Sequence, residues 1–191
     1  MVAFTALALS SMVALGLVLL SVVMAVRLPA SSLTQAPIFD APSTSHRGRL
    51  KARIGTNLCL GVSGTRDGAR LLLKSCTHAS TEVEFDDDRD LLIFLQAQRV
   101  AEVPARRYGN GEAVQIRDIA THGGSGFQRW VRADFHGRSG GGVPRGVWQQ
   151  IRTGNHRYCL DVREGRAVVG AEVQLRECAP WNDNQSFKWI S

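Results

Sequence analysis

The chain has 191 residues, enough for one domain and an appendage, and much of its 44% hydrophobic content falls in the first 26 residues. It carries 23 Lys and Arg against 17 Asp and Glu, which gives a net charge of +6. The arginines are spread along the chain, a pattern typical of a solvated surface; the alternative is a surface that attracts acidic glycans or anionic lipid headgroups, and no motif supports nucleic acid as a partner.

The first predicted element is an apolar helix. Residues 2–26 contain no charged side chain, and as a helix they would span about 37 Å, more than the roughly 30 Å of a bilayer core. We predict a transmembrane helix or signal-anchor over residues 1–27, because Arg27 and Pro29 follow the apolar stretch directly. A cleaved signal peptide with its small-residue site at Val23-Met24-Ala25 is the alternative, and the protein would then be secreted.

Two signals disagree about the side of the membrane on which the following domain lies. Positive charge after the apolar segment favours the cytoplasm, but only Arg27 lies near the helix end. The four cysteines favour an oxidising compartment, whether extracellular, lumenal or periplasmic. We follow the cysteines and predict a single-pass protein with its C-terminal domain in that compartment. Residues 28–46 are rich in Pro and Ser, and they are predicted to form a linker.

One sequence unit occurs three times in residues 47–191. In the first and third copies, Cys59–Val62 corresponds to Cys159–Val162, and Gly68–Cys76 corresponds to Gly170–Cys178. The alternation of apolar and polar residues around Gly-containing turns predicts hairpins with one buried face. The middle copy lacks the cysteines but keeps the frame, with Val100–Val103 and Gly111–Ile119 as its strands.

The cysteine brackets, the Cys-Leu-Asp-Val motif and the triplets Gln128–Trp130 and Gln185–Phe187 resemble the ricin B-type lectin family. In copy one, we align Val83–Phe85 with these triplets. The resemblance covers Arg49–Ser191 and implies an all-β domain, a β-trefoil of three repeats. In the sequence this domain is preceded by the hydrophobic helix and the linker. A closed barrel agrees with this expectation, because each unit alone is too small to bury its apolar face.

The cysteines fall as one pair in copy one and one pair in copy three. Because the two pairs occupy equivalent places, we predict disulfides between Cys59 and Cys76 and between Cys159 and Cys178. Four reduced core thiols, as in a cytosolic protein, are the alternative.

The resemblance implies a sugar site in the third copy. In this family an Asp accepts hydrogen bonds from sugar hydroxyls, an aromatic ring stacks on the sugar, and Asn and Gln complete the polar set. Here Arg176 occupies the stacking position, so Trp181 is expected to supply a substitute face, and the guanidinium would favour anionic sugars. The expected carbohydrate-binding residues are Asp161, Gln174, Arg176, Trp181, Asn184 and Gln185.

The other copies depart further from the family pattern. Copy one has Gly61 and Leu72 where an Asp and a Gln are expected, and we predict that it is inactive. Copy two has Glu102 and Gln115, which leaves its activity open. A purely structural role for Asp161 and for the Asn-Gln pair of copy three is the alternative to sugar binding.

Enzyme and metal functions have little support. The five histidines are scattered singly, and no nucleophile pattern is present. The acidic stretch 81–90 has no turn-making glycine for a calcium loop, so we predict a solvated loop that pairs with arginines. No cofactor is expected.

The sequence therefore predicts a membrane-anchored, non-catalytic, glycan-binding protein. The alternative is a degenerate lectin fold that serves as an accessory subunit of a membrane protein complex. Ala6, Ser10 and Ala14, within residues 1–27, form a small-residue stripe against which a partner helix could pack.

Overall fold

The computed structural model describes residues 45–120, 124–134 and 146–191. The predicted helix at residues 1–27 and most of the predicted linker lie outside these ranges. Among the described residues, no helix is long and apolar enough to cross a membrane. The helical segments in this part are single 3₁₀ turns: Ala79–Thr81, Pro104–Arg106, Gly126–Gln128, Arg163–Gly165 and Asp183–Gln185.

The strands fall into three sets of four, one set for each sequence copy. Repeat one contains β1 (Ser45–Ala52), β2 (Leu58–Val62), β3 (Leu71–Ser75) and β4 (Glu82–Asp86). Repeat two contains β5 (Leu91–Phe94), β6 (Arg99–Glu102), β7 (Gln115–Arg117) and β8 (Trp130–Asp134). Repeat three contains β9 (Gln149–Thr153), β10 (Tyr158–Val162), β11 (Val173–Glu177) and β12 (Phe187–Ile190).

The first and fourth strands of the repeats form a closed barrel. Strand β4 pairs with β1 and β5, β8 pairs with β9, and β12 pairs with β9 and β1. The barrel closes between β5 and β8. There the Trp130 amide donates to the carbonyl of Asp90, the residue that precedes β5, at 2.7 Å. Closure leaves these strands without a free edge.

The second and third strands of each repeat form hairpins that meet at the pseudo-threefold axis. Gly68, Gly111 and Gly170 each donate a backbone N–H to a strand of another repeat, and the acceptors are Ile116, Leu175 and Leu73. All three glycines have positive φ, between 81° and 89°, which non-glycine residues adopt only at a cost. The threefold recurrence of this contact confirms the predicted β-trefoil.

The core lies inside the barrel and beneath the hairpins. The alternating apolar residues of the strands supply it, as the period-two pattern predicts. Its fully buried side chains include Leu50, Leu60, Leu73, Phe85, Leu92, Phe94, Ile116, Trp130, Ile151, Leu160, Leu175 and Phe187.

Both predicted disulfides are present. Cys59 bonds to Cys76 and Cys159 bonds to Cys178, with Cα–Cα distances of 4.8 and 5.0 Å. Each disulfide joins the start of one hairpin strand to the end of its partner. Two such bonds are typical of proteins from an oxidising compartment.

The predicted alignment at the end of repeat one was wrong by two residues. Val83 lies opposite Phe94 on the next strand, just as Trp130 lies opposite Thr153 and Phe187 opposite Ala52. Val83, rather than Phe85, is therefore the counterpart of Trp130 and Phe187. A shift of two residues leaves the same strand face buried, so the apolar pattern alone did not detect the error.

The prediction of a solvated acidic loop at residues 81–90 was also wrong in part. Glu82–Asp86 forms strand β4, and Asp86 is buried. The predicted pairing with arginines is observed, because Glu82 contacts Arg49 at 2.7 Å and Asp87 contacts the buried Arg132 at 2.8 Å.

Candidate functional site

In repeat three, a buried carboxylate is held by two glutamines. Gln174 donates to Oδ1 of Asp161 at 3.3 Å, and Gln185 donates to Oδ2 at 3.1 Å. Asp161 and Gln174 lie opposite each other on β10 and β11, while Gln185 ends the 3₁₀ turn that precedes β12. Three of the predicted site residues are thus brought together by one hydrogen-bonded network.

Gln185 uses all of its side-chain hydrogen-bonding capacity within the protein. Besides Asp161, its Nε2 donates to the carbonyl of Glu177 at 3.0 Å. Its Oε1 accepts from the Ala179 amide at 2.9 Å and from the Gln150 side chain at 3.3 Å. Since Gln185 is fully buried, it positions Asp161 and has no group left for a ligand.

A cavity of about 390 Å³ lies above this network. Its lining residues are Asn110, Gly111, Arg163, Glu164, Gln174 and Arg176. Asp161 itself is only 1% exposed, so Gln174 rather than the carboxylate faces the cavity. Arg176, which the sequence placed at the stacking position, is exposed at the rim.

The remaining predicted residues, Asn184 and Trp181, are not among those that line this cavity. The side-chain amide of Asn184 packs against Gly165, where an added Cβ would meet it at 3.0 Å. Trp181 is 63% exposed and is not among the lining residues. The substitute stacking role of Trp181 therefore stays a prediction.

Repeat two contains the same network with a glutamate in place of the aspartate. Gln128 donates to Oε2 of Glu102 at 2.8 Å and to the carbonyl of Asp118 at 3.0 Å. Its Oε1 accepts from the amides of Ala120 and Ser125. Gln115 donates to Oε1 of Glu102 at 3.4 Å, as Gln174 does to Asp161.

Glu102, which is one methylene group longer than Asp161, lines the cavity of its repeat, and Asp161 does not. The Glu102 side chain is 13% exposed and lines a cavity of about 280 Å³, whereas Asp161 does not line the cavity above it. The walls of the repeat-two cavity are formed by Asp67, Arg106, Arg117, Asp118, Ala120, Ser125, Phe127 and Gln128. The Glu102 carboxylate is therefore accessible to a ligand in this cavity.

Phe127 is a site residue that the sequence reasoning missed. It directly precedes Gln128, as Asn184 precedes Gln185, and it lines the repeat-two cavity. Its ring is fixed by Tyr108, with ring centroids 4.9 Å apart, and the Tyr108 hydroxyl donates to the Gly126 carbonyl at 2.7 Å. The family pattern predicts an aromatic residue at the position of Arg117, whereas here the aromatic residue stands immediately before the glutamine.

Repeat one has no room for the network. A Cβ added at Gly61, the counterpart of Asp161, would lie 3.0 Å from the Lys74 side chain and 3.2 Å from the Thr81 methyl group. Thr81 ends its 3₁₀ turn as Gln185 does, and its hydroxyl donates to the carbonyl of His78. The space that the carboxylate occupies in the other repeats is filled.

The carboxylates that line the repeat-two cavity form ion pairs with arginines. A hydrogen bond from Arg99 at 2.6 Å holds the pKa of Asp67 below its ordinary value, against the opposing effect of burial. Arg99 also contacts Asp118 at 3.2 Å. No group of three or more His, Cys, Asp or Glu side chains in the described residues is arranged to hold a metal ion.

Comparison with known proteins identifies the fold. No protein-family model and no curated protein matches the sequence. The designed threefold-symmetric protein ThreeFoil is similar with a TM-score of 0.63 and 18% identity, over 76% of this chain and 98% of that one. The C-terminal half of the earthworm R-type lectin, solved with GalNAc, is similar with a TM-score of 0.52 and 11% identity, over 75% of this chain and 98% of that one.

The hemolytic lectin CEL-III is similar with a TM-score of 0.58 and 21% identity. The match covers 76% of this chain but only 30% of the hemolytic lectin, so the similarity in fold is confined to part of that protein. At these identities the similarity shows the β-trefoil fold alone. The fold is one that known lectins use.

Proposed function

We propose that the domain is a non-catalytic carbohydrate-binding module with sites in repeats two and three. The observation that carries this proposal is Glu102, a carboxylate fixed by Gln128 at the base of a cavity that is also lined by Phe127. A carboxylate accepts hydrogen bonds from hydroxyl groups, and an aromatic ring packs on the apolar face of a sugar. These groups are the ones that a sugar ring requires.

The sizes of the two cavities support a small ligand. Volumes of about 280 and 390 Å³ lie near the lower end of the range for small-molecule sites, about 300–1,000 Å³. Both cavities are open to solvent, the repeat-three cavity more widely, which suits a single sugar residue at the end of a glycan chain.

In repeat three, Gln174 and Arg176 make the direct contacts in this proposal. Asp161 holds the Gln174 side chain in place. When the Gln174 side chain moves aside, the Asp161 carboxylate becomes available to a sugar hydroxyl. The contact of 3.3 Å between Gln174 and Asp161 is long for a hydrogen bond, which lowers the cost of this movement.

Membrane attachment is the part of the proposal that rests on sequence alone. The apolar segment 2–26 would hold the domain at a membrane surface, and the two disulfides suggest its oxidising side. The accessory-subunit alternative draws support from the filled site of repeat one, because one of the three repeats lacks the carboxylate network. Detergent extraction of the full chain with a stoichiometric membrane protein, together with no sugar binding, would favour that alternative.

A glycan array probed with the full chain tests the proposed function. We expect binding to at least one glycan, with a loss of about tenfold or more in Glu102→Gln or Asp161→Asn, depending on which site that glycan occupies. Glu82→Gln is the matched control, because it removes an exposed carboxylate on β4 outside both cavities. Absence of binding to every neutral and acidic glycan would overturn the proposal.

A further inference from the structure

Arg106 stands at a backbone position that an arginine rarely occupies. Its φ is +52°, in the left-handed region, and it ends the 3₁₀ turn Pro104–Arg106 at the edge of the repeat-two cavity. The counterpart in repeat three is Gly165, with φ +64°, which adopts this conformation without strain. Strained non-glycine residues persist where the surrounding structure imposes them, and they cluster at ligand sites.

The charges around this cavity are paired, with one exception. Arg117 contacts Glu102 at 3.4 Å, and Arg99 contacts both Asp67 and Asp118. Within the described ranges, no carboxylate lies within ion-pair distance of Arg106, although it lines the same cavity. The three carboxylates of the wall already have guanidinium partners, so Arg106 is the cation that remains for a ligand.

We propose that the repeat-two cavity binds a carboxylate-bearing sugar, such as a uronic acid. Arg106 pairs with the sugar carboxylate, Glu102 accepts a ring hydroxyl, and Phe127 packs against the ring. This assignment rests on the proposed carbohydrate-binding function and names the ligand class of one of its two sites. A guanidinium fork matches the two oxygens of a carboxylate, which gives the pair both strength and orientation.

The geometry distinguishes the two sites. In repeat three, the counterpart Gly165 has no side chain and does not line the cavity, and the same turn contributes Arg163 and Glu164 instead. The aromatic platform is also specific to repeat two, because Asn184 occupies the position of Phe127 in repeat three. Pairing of a sugar carboxylate with a cation at position 106 is therefore specific to repeat two, while the guanidinium groups at the repeat-three cavity are those of Arg163 and Arg176.

Titration calorimetry of the full chain with defined sugars tests the inference. The probes are galacturonate and glucuronate, their neutral parents galactose and glucose, the cationic galactosamine, and galactose 6-sulfate. We expect at least one uronate to bind about tenfold or more tightly than its neutral parent at low ionic strength, and this preference to fall as salt is added. We expect galactosamine and the sulfated sugar to bind more weakly than that uronate.

Arg106→Gly removes the guanidinium and supplies the residue that repeat three uses at the same φ, so the fold is retained. We expect it to abolish the preference for the uronate when it is compared with its parent in an Arg176→Ala background, which removes the exposed guanidinium of the repeat-three cavity. Arg107→Ala is the matched control, because it removes the neighbouring exposed cation, which pairs with Glu112 at 2.9 Å outside the cavity. We expect that variant to keep the preference.

The outcomes separate this inference from the proposed function. Equal binding of uronates and neutral sugars, a preference for galactosamine or for the sulfated sugar, or a uronate preference that survives Arg106→Gly in the Arg176→Ala background would overturn the inference and leave carbohydrate binding standing. No binding of any sugar, here and on the array, would overturn both.

Discussion

The side-chain amide of Gln128 donates to the carboxylate of Glu102 at 2.8 Å, and Gln185 makes the same contact with Asp161 at 3.1 Å. In both repeats the glutamine ends a 3₁₀ turn, is buried, and also bonds to two or more groups of the neighbouring backbone. In repeats two and three the glutamine therefore connects the last 3₁₀ turn to the carboxylate of the hairpin. The same hydrogen bonds stabilise the fold and position the carboxylate of the proposed site.

The first prediction concerns the stability that Gln185 provides. Gln185→Ala removes four hydrogen bonds and leaves the Asp161 carboxylate buried with one donor fewer, so we expect a loss of about 3 kcal/mol in the free energy of unfolding. Urea denaturation followed by tryptophan fluorescence measures this loss. Gln98→Ala, which truncates an exposed glutamine, serves as the control, and a loss in Gln185→Ala no larger than in that control would contradict the role assigned to Gln185.

The second prediction concerns the disulfides. Their sequence separations are 17 and 19 residues, so loop-closure entropy predicts that each contributes about 3 kcal/mol. Replacing Cys59 and Cys76 together by alanine should lower the unfolding free energy by about that amount, and the Cys159 and Cys178 double variant should do the same. Thiol titration of the denatured, unreduced protein should find no free thiol, whereas two or four free thiols would exclude one or both bonds.

The third prediction concerns the filled site of repeat one. Because a Cβ at Gly61 would lie within 3.0–3.3 Å of Lys74, Thr81 and Ser80, Gly61→Ala should destabilise the protein by about 1–3 kcal/mol. At Gly64 the nearest atom would be 3.8 Å away, an ordinary contact. Gly64→Ala should therefore have little effect in the same denaturation experiment, and equal losses in the two variants would show that repeat one has room for a side chain.

The fourth prediction concerns two aspartates whose pKa values move in opposite directions. The hydrogen bond from Arg99 lowers the pKa of Asp67, while burial raises the pKa of Asp90. The contribution of Asp67 to stability is present above its ordinary pKa and is lost as the pH falls through its lowered value. The contribution of Asp90 is present below its ordinary pKa and is lost as the pH rises through its raised value.

Carbon-13 NMR of the side-chain carboxyls against pH measures both values. We expect Asp67 to titrate below the ordinary value of 3.8 and Asp90 above it. In Arg99→Met the pKa of Asp67 should rise, while that of Asp90 should not change. An unchanged Asp67 in that variant would show that Arg99 is not the cause of its shift.

For the described residues, the resemblance to ricin B-type lectins predicted the β-trefoil, and the residue pattern predicted the hairpins and the disulfides, while the predicted helix at residues 1–27 lies outside those residues. Alternation around the glycine turns specified the hairpins, and the equivalent places of Cys59, Cys76, Cys159 and Cys178 specified their pairing. The end of repeat one was misaligned because Phe85 is an aromatic residue on the same strand face as Val83. In addition, the position of Gln128 and Gln185 is occupied by Thr81, which does not resemble a glutamine. Register on a two-residue period is decided by strand pairing, which sequence alone does not contain.

The site was only partly predictable. The resemblance to ricin B-type lectins placed Asp161, Gln174 and Gln185 in one site, but burial of Asp161 follows from the three-dimensional packing. Repeat two was left undecided because Glu102 differed from the expected Asp. The longer side chain of Glu102 brings its carboxylate to the cavity, while Phe127 and Arg106 belong to no motif of the family pattern.

Amide chemical shifts test the central claim most directly. The full chain, labelled with nitrogen-15, would be titrated with the glycan that binds most strongly on the array. The account predicts shifts at the residues that line the repeat-two or repeat-three cavity, such as Arg117 and Phe127 or Gln174 and Arg176, and none around Gly61 and Lys74. Shifts centred on repeat one, or on a surface away from both cavities, would contradict it.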